Sequence, residues 1–231
     1  MGNNKPQCLG FIMDGNRRWA KEQGLETFEG HNKGGDVLLD CIKFLRAEEI
    51  EHGVFYTFST ENWNRSEKEV VYLMDLFRLW LQRMEDELLD ASDDEKVKIR
   101  IIGRREDFAD DIQEKMGILE EKSSAFDTTT TIWIALSYGG RAEIIEAVNI
   151  AIKKREKIDE EEFEKLLWTA DMPDPDMIVR TGGEQRLSNF LTWRSVYSEL
   201  HFIEKHWPAL SKSDFEVILT EYEKRERRRG K

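Results

Sequence analysis

Four short polar segments hold the residue types that grip an anion together with a metal ion. They are Asp14-Gly15-Asn16-Arg17-Arg18-Trp19, Ser59-Thr60-Glu61-Asn62-Trp63-Asn64-Arg65, Ser137-Tyr138-Gly139-Gly140-Arg141 and Arg180-Thr181-Gly182-Gly183-Glu184-Gln185-Arg186-Leu187-Ser188. Guanidinium forks match phosphate oxygens, and a carboxylate such as Asp14 suits Mg²⁺. The glycine pairs let the backbone approach a ligand closely. Brought to one place, these segments are equipped for a diphosphate and its metal. The chain has no GxxxxGK[ST] and no GxGxxG after a strand, which argues against nucleotide chemistry of the usual kind.

Each polar segment follows an apolar one. Leu9 to Met13 is a short apolar run stopped by Asp14-Gly15-Asn16, the pattern of a buried strand that ends at a turn. Val54 to Phe58 and Thr131 to Leu136 are β-branched and aromatic in the same way, Val97 to Ile102 alternates before turning apolar, and Met177 to Val179 and Leu200 to Ile203 are shorter candidates. Between them the period becomes helical. Ser66 and Glu69 have capping-box spacing, and Val70, Leu73, Met74, Phe77, Leu81, Met84 and Leu88 form one stripe. Ile144, Ile145, Val148 and Ile152 form a second, and Phe215, Ile218, Leu219 and Tyr222 a third. Strands alternating with helices imply an α/β fold, a mostly parallel sheet flanked by helices, which binds ligands outside the carboxyl ends of its strands. No linker divides residues 1–231, so one domain is expected.

The 35 basic and 47 acidic residues leave a net charge of -12, a field that disfavours nucleic acid. Two cysteines, Cys8 and Cys41, form no metal or redox spacing, and a reducing, cytoplasmic compartment is expected. No apolar run approaches the roughly 20 residues that span a bilayer. Taken singly, the site residues have ordinary explanations: Asp14-Gly15-Asn16 is a common turn and cap, and a lone histidine such as His31 is more often a hydrogen-bonded structural residue.

In company they say more. IMDGNRRWAKEQG, GHNKGG, FSTENWNRS, SYGGR, DMIVRTGGEQRLSNFLTW, YSEL and RERRRG resemble, in order and spacing, the cis-prenyltransferase family, over about Gly10 to Gly230. The resemblance implies a homodimer whose sheet carries a hydrophobic tunnel, lined in part by the long helix after Ser66. It implies a Mg²⁺-dependent condensation of isopentenyl diphosphate with an allylic diphosphate, farnesyl or longer, to a polyprenyl diphosphate. By similarity, Asp14 binds Mg²⁺, and Gly15, Asn16, Arg17, Arg18 and Trp19 hold the allylic diphosphate with His31 nearby. Arg180, Arg186 and Ser188 resemble the isopentenyl diphosphate site, and Glu199 a second metal carboxylate. By the same resemblance, Asn62, Trp63 and Arg65 would close over substrate as part of a mobile loop, with Ser59 and Glu61 beside them, and Asn62, Ser59 or the departing diphosphate is the candidate proton relay or base. An Arg228-Arg229-Gly230 element would reach across the dimer. Substrate tails imply loose peripheral contact with the inner membrane face.

The pattern is broken at Thr27, where members usually carry an arginine, and at Ser137, where they carry asparagine. Trp133 brings an indole to a strand where smaller residues are common, and would shorten the product if it points into the tunnel. A weak or accessory subunit of a two-chain enzyme is the alternative, and the presence of Asp14, Arg180, Arg186 and Glu199 speaks against it.

Overall fold

The apolar runs become six strands: β1 (Cys8–Ile12), β2 (His52–Ser59), β3 (Lys98–Ile102), β4 (Thr131–Tyr138), β5 (Met177–Arg180) and β6 (Glu199–Phe202). The computed structural model describes residues 5–89, 92–93, 95–155 and 157–225. All six strands lie in one sheet in the order β3-β4-β2-β1-β5-β6, and every neighbouring pair is parallel. Seven α-helices accompany them: α1 (Asn16–Glu22), α2 (Thr27–Ala47), α3 (Glu67–Met84), α4 (Asp110–Ser124), α5 (Gly140–Lys154), α6 (Glu160–Glu164) and α7 (Lys212–Glu223). Among the described residues, no helix is long and apolar enough to cross a membrane.

Strand alternation sends side chains to two separate cores. Ile132, Ile134 and Leu136 of β4 join residues of α2, α3, α4 and α7 in the larger one, while Trp133 and Ala135 face a smaller one with Met172, Phe190 and Leu191. Trp133 therefore lies on the side of the sheet away from α2 and α3, and its indole N–H donates to His52 Nδ1 at 3.2 Å.

Of the α3 stripe, Leu73, Phe77, Leu81 and Met84 are buried and Val70 and Met74 half-buried, with Leu76 buried beside them; the side chain of Leu88 lies outside the described residues. Ser66 and Glu69 bond each other's side chains at 3.2 Å instead of forming the expected reciprocal cap. Phe215, Ile218, Leu219 and Tyr222 of α7 are all buried. The α5 stripe is a correction. Gly140, Glu143 and Ala147 face inward, and Ile145, Val148 and Ile152 are exposed. Periodicity identifies an apolar face, but the inward side of α5 is occupied by a buried network in which the Glu143 carboxylate accepts from Tyr138 Oη, Thr169 N and Thr169 Oγ1.

The connections determine where a ligand can sit. After β1 the chain passes to β2 on one side, and after β5 it passes to β6 on the other. The crevice at the carboxyl ends of β1 and β5 is thus a switch point, the place where sheets of this kind bind ligands.

Candidate functional site

Asp14 follows β1 and Arg180 ends β5, so the two face each other across that crevice. Arg180 Nη2 donates to Asp14 Oδ2 at 2.9 Å, the Gly15 N–H donates to Asp14 Oδ1 at 2.7 Å, and Arg18 Nη2 lies 3.4 Å from the same oxygen. Gly15 holds φ 106° beside His206, whose Nδ1 would stand 2.5 Å from any added Cβ, so both conformation and space demand glycine there. Burial pushes the Asp14 carboxyl up, but the Arg180 hydrogen bond and charge, the Gly15 N–H and Arg18 outweigh it and hold it below the usual range.

Arg180 is 4% exposed. Its Nη1 donates to Arg186 O at 2.5 Å and to Ser188 Oγ at 2.7 Å, while its Nε is buried with no partner among the described residues. Ser188, Asn189 and Leu191 all adopt positive φ, a tight path that returns Ser188 toward β5. Arg186 is placed differently from the sequence reading: only its carbonyl serves the site, and its guanidinium turns outward to Glu184. Helix α5 begins at Gly140, with its first amides tied to Asn189.

These groups form the rim of a cavity of about 920 Å³. Its polar part takes Asp14, Gly15, Asn16, Arg17, Arg18, His31, Ser59, Glu61, Asn62, Arg65, Arg180 and Ser188 from the expected set. Its apolar part runs between α2 and α3 past Leu38, Phe58, Leu73, Phe77 and Trp80. Trp80 lies deepest along α3, about 16 Å beyond Glu69. The indole leans on Gly35, where an added Cβ would stand 2.6 Å from its Nε1, and that nitrogen is buried without a partner. Trp19, Trp63, Arg186 and Glu199 are not part of the wall.

Glu199 lies apart from Asp14 within the chain. It pairs in register with Met177, at the start of β6, whereas Arg180 pairs with Phe202 at the other end. It is therefore at the amino edge of the sheet, where it accepts from Arg225 Nη1 at 2.6 Å, and within one chain it cannot share a metal with Asp14. No group of three His, Cys, Asp or Glu able to hold a metal occurs among the described residues. Asp14 nonetheless suits Mg²⁺, which is commonly held by one or two carboxylates, waters and the substrate's own phosphates. Arg228-Arg229-Gly230 lies outside the described residues.

The segment after β2 is held by several side-chain bonds. Residues Thr60–Asn64 form a 3₁₀ turn in which Asn62 Oδ1 accepts from Ser59 N at 3.0 Å, and Glu61 Oε1 accepts from Asn189 Nδ2 at 2.7 Å. Trp63 is packed against Phe58 and Phe108, with centroids 5.0 and 5.4 Å away. Arg65 makes no ion pair among the described residues, whereas Arg17 is held by Glu69 at 3.1 Å. At Thr27, exposed at the start of α2, the flanking Glu26 and Glu29 cap the helix.

His31 faces Arg65 and Arg17, and burial, then those two charges, lower its pKa to about 4 against the pull of Glu69. The ring is neutral at physiological pH. An unfolded chain protonates this group near 6.5 and the folded one only near 4, so His31 contributes stability that is complete above 6.5 and is lost as pH falls. Denaturant unfolding at pH 7.5 and 5.0 is expected to show about 2 kcal/mol more acid destabilisation in wild type than in His31→Gln.

Tyr56, Arg141 and Asn189 also line the cavity and were not singled out from sequence. Arg141 carried a signal, since it follows a glycine pair at the end of a strand. Tyr56 carried none, because it sits inside β2 and donates to Tyr138 O and Ser188 O at 3.3 and 3.2 Å.

Comparison with known proteins adds independent findings. Residues 12–230 match the prenyltransferase family model described as undecaprenyl diphosphate synthase. The chain is 46% identical over 230 residues to an isoprenyl transferase of Thermotoga maritima, covering 97% of each. It is 37% identical to a geranylgeranyl-diphosphate-specific tritrans,polycis-undecaprenyl-diphosphate synthase of Thermoplasma volcanium, covering 98% of this chain and 90% of the relative. Lavandulyl diphosphate synthase from Lavandula x intermedia, solved with dimethylallyl diphosphate, superposes with a TM-score of 0.93 at 31% identity over 99% of both chains.

Proposed function

The chain belongs to the undecaprenyl diphosphate synthase family of prenyltransferases, and from that premise we propose that it condenses isopentenyl diphosphate with an allylic diphosphate of farnesyl size or longer, using Mg²⁺. The observation that carries this reading is the Asp14–Arg180 pair at the mouth of a cavity that is cationic at one end and apolar at the other. Bound Mg²⁺ would supply positive charge to the leaving diphosphate, with Asp14 as its protein carboxylate.

The chain's own residues do the rest. Arg17, Arg18 and Arg65 surround the place where an allylic diphosphate would sit, and charge that grows there as the C–O bond breaks is stabilised by fixed cations. Neutral His31 can donate a hydrogen bond without adding charge. Arg180, pre-set by Ser188 and the Arg186 carbonyl, offers its unpartnered Nε to the second diphosphate. The apolar wall between α2 and α3 takes the tail and keeps water from the reacting carbons. Proton loss from the isopentenyl unit is assigned to Asn62, Ser59 or the departing diphosphate.

The exposed Ile145, Val148 and Ile152 of α5, with Val196 at 70% and Tyr197 at 73% exposure, support a homodimer. An apolar product supports work in the cytoplasm at a membrane surface, by loose contact.

The test is incorporation of labelled isopentenyl diphosphate into solvent-extractable product with farnesyl diphosphate as starter. Activity that requires Mg²⁺ and disappears with a chelator is expected; folded wild-type protein without incorporation, for any allylic starter, would overturn the proposal or place the chain as an accessory subunit. The same assay reads the cavity's depth. Trp80→Ala removes the indole that lines the cavity farthest along α3, and products about one or two five-carbon units longer are expected on chromatography, because a large-to-small change leaves a cavity the surroundings refill only partly.

A further inference from the structure

We propose that Ser137 is a positioning residue for the reaction: it ties the wall segment 60–65 to the sheet through a Trp63–Ser137–Asp107 hydrogen-bond chain. The inference rests on the prenyl-transfer reading for its readout, and on geometry for its content.

Ser137 is fully buried at the end of β4. Its Oγ lies 2.8 Å from Trp63 Nε1 and is also bonded to Asp107 Oδ2. The directions are forced. An indole N–H only donates, so the Ser137 oxygen accepts from Trp63, and its single proton goes to the carboxylate. The outer bond is charge-assisted, and a hydroxyl that donates to a carboxylate becomes a better acceptor for the indole. Three neighbouring strand ends are joined in this way: Trp63 follows β2, Ser137 is on β4, and Asp107 lies on the turn after β3.

What the chain holds in place is functional wall. Trp63 is itself absent from the cavity surface, but Glu61, Asn62 and Arg65 beside it are on that surface. The Asn62 bond to Ser59 and the Glu61 bond to Asn189 anchor the front of the segment; Trp63 anchors its back. Without that anchor, Arg65 loses its fixed direction toward the allylic diphosphate. On the opposite rim, Arg180 and Ser188 are held by separate bonds to Asp14, the Arg186 carbonyl and Tyr56.

Ser137 also holds φ 46°, a conformation that asparagine tolerates better than serine. An asparagine there can accept from Trp63 through its carbonyl and donate to Asp107 through its amide, so Ser137→Asn preserves both bonds. Ser137→Ala breaks both. Asp107 is exposed and outside the cavity wall, so Asp107→Ala reaches the reaction only through this chain and keeps the test open should Ser137→Ala fail to fold.

Steady-state kinetics on the full chain, with farnesyl diphosphate and isopentenyl diphosphate varied in turn, decide the matter. Ser137→Ala and Asp107→Ala are expected to raise the allylic KM about five- to tenfold, as loss of one ordering hydrogen bond would, with the isopentenyl KM within about twofold of wild type. Ser137→Asn is expected to match wild type, and the double variant to be no worse than Ser137→Ala alone. An unchanged allylic KM in both alanine variants, additive losses, or failure of Ser137→Asn to match wild type would overturn the inference. Absence of activity in wild type would instead defeat the prenyl-transfer reading on which the readout depends.

Discussion

Asp14→Ala is expected to abolish labelled isopentenyl incorporation, a fall of about 10³-fold or more in kcat, because it removes both the carboxylate for Mg²⁺ and the anchor of the cationic rim. The carboxylate is ionised well below neutrality and sits among Arg180, Arg18 and the Gly15 amide. Its loss therefore leaves a buried guanidinium with one partner fewer, and the variant should unfold at lower denaturant as well. Asp14→Asn separates the two effects. An amide has a single acceptor oxygen, so it keeps the bond from Arg180 or from Gly15 but turns its NH2 toward the other donor, and it is a poor Mg²⁺ ligand; stability between wild type and Asp14→Ala, with activity as low as in Asp14→Ala, is expected. Asp14→Asn with near-wild-type turnover would show that the carboxylate is structural only.

Arg180→Lys is expected to lower kcat/KM by about 10²-fold even though charge is conserved, since an ammonium cannot reproduce the planar fork. Arg180 spans Asp14 on one side and Ser188 and the Arg186 carbonyl on the other, and presents Nε besides. A lysine reaches at most part of this set, and the loop through Ser188 loses the bond that orders it. If Arg180 holds the isopentenyl diphosphate as proposed, the isopentenyl KM should rise more than the allylic KM. Equal increases in both would reassign Arg180 to general support of the rim.

Much of this arrangement was legible in the amino-acid order. Asp14 and Arg180 each end a short apolar run, and a parallel sheet brings such ends to one edge, so their meeting followed from pattern and topology together. What failed did so for identifiable reasons. The stripe Ile145, Val148 and Ile152 has the right period, but period does not say whether an apolar face meets the core or points outward. Trp133 could not be assigned a face from one strand, since a register step of one reverses every side chain. The position of Glu199 at the amino edge comes from strand register, which the amino-acid order alone does not show. The Trp63 bond to Ser137 was not legible because it is a contact across 74 positions. Tyr56 contributes from a strand interior that offers no polar punctuation.

The two-core sheet has a consequence for anyone wishing to reshape this protein. On β4, positions 132, 134 and 136 belong to the core shared with α2 and α3, and positions 133 and 135 to the other. The strand behaves as a pair of interleaved dials. Turning the even set repacks the core behind α2 and α3, while turning the odd set adjusts the packing around Phe190 and Leu191. Libraries built on one set should combine with libraries built on the other with little interference, because the backbone of a single strand insulates them.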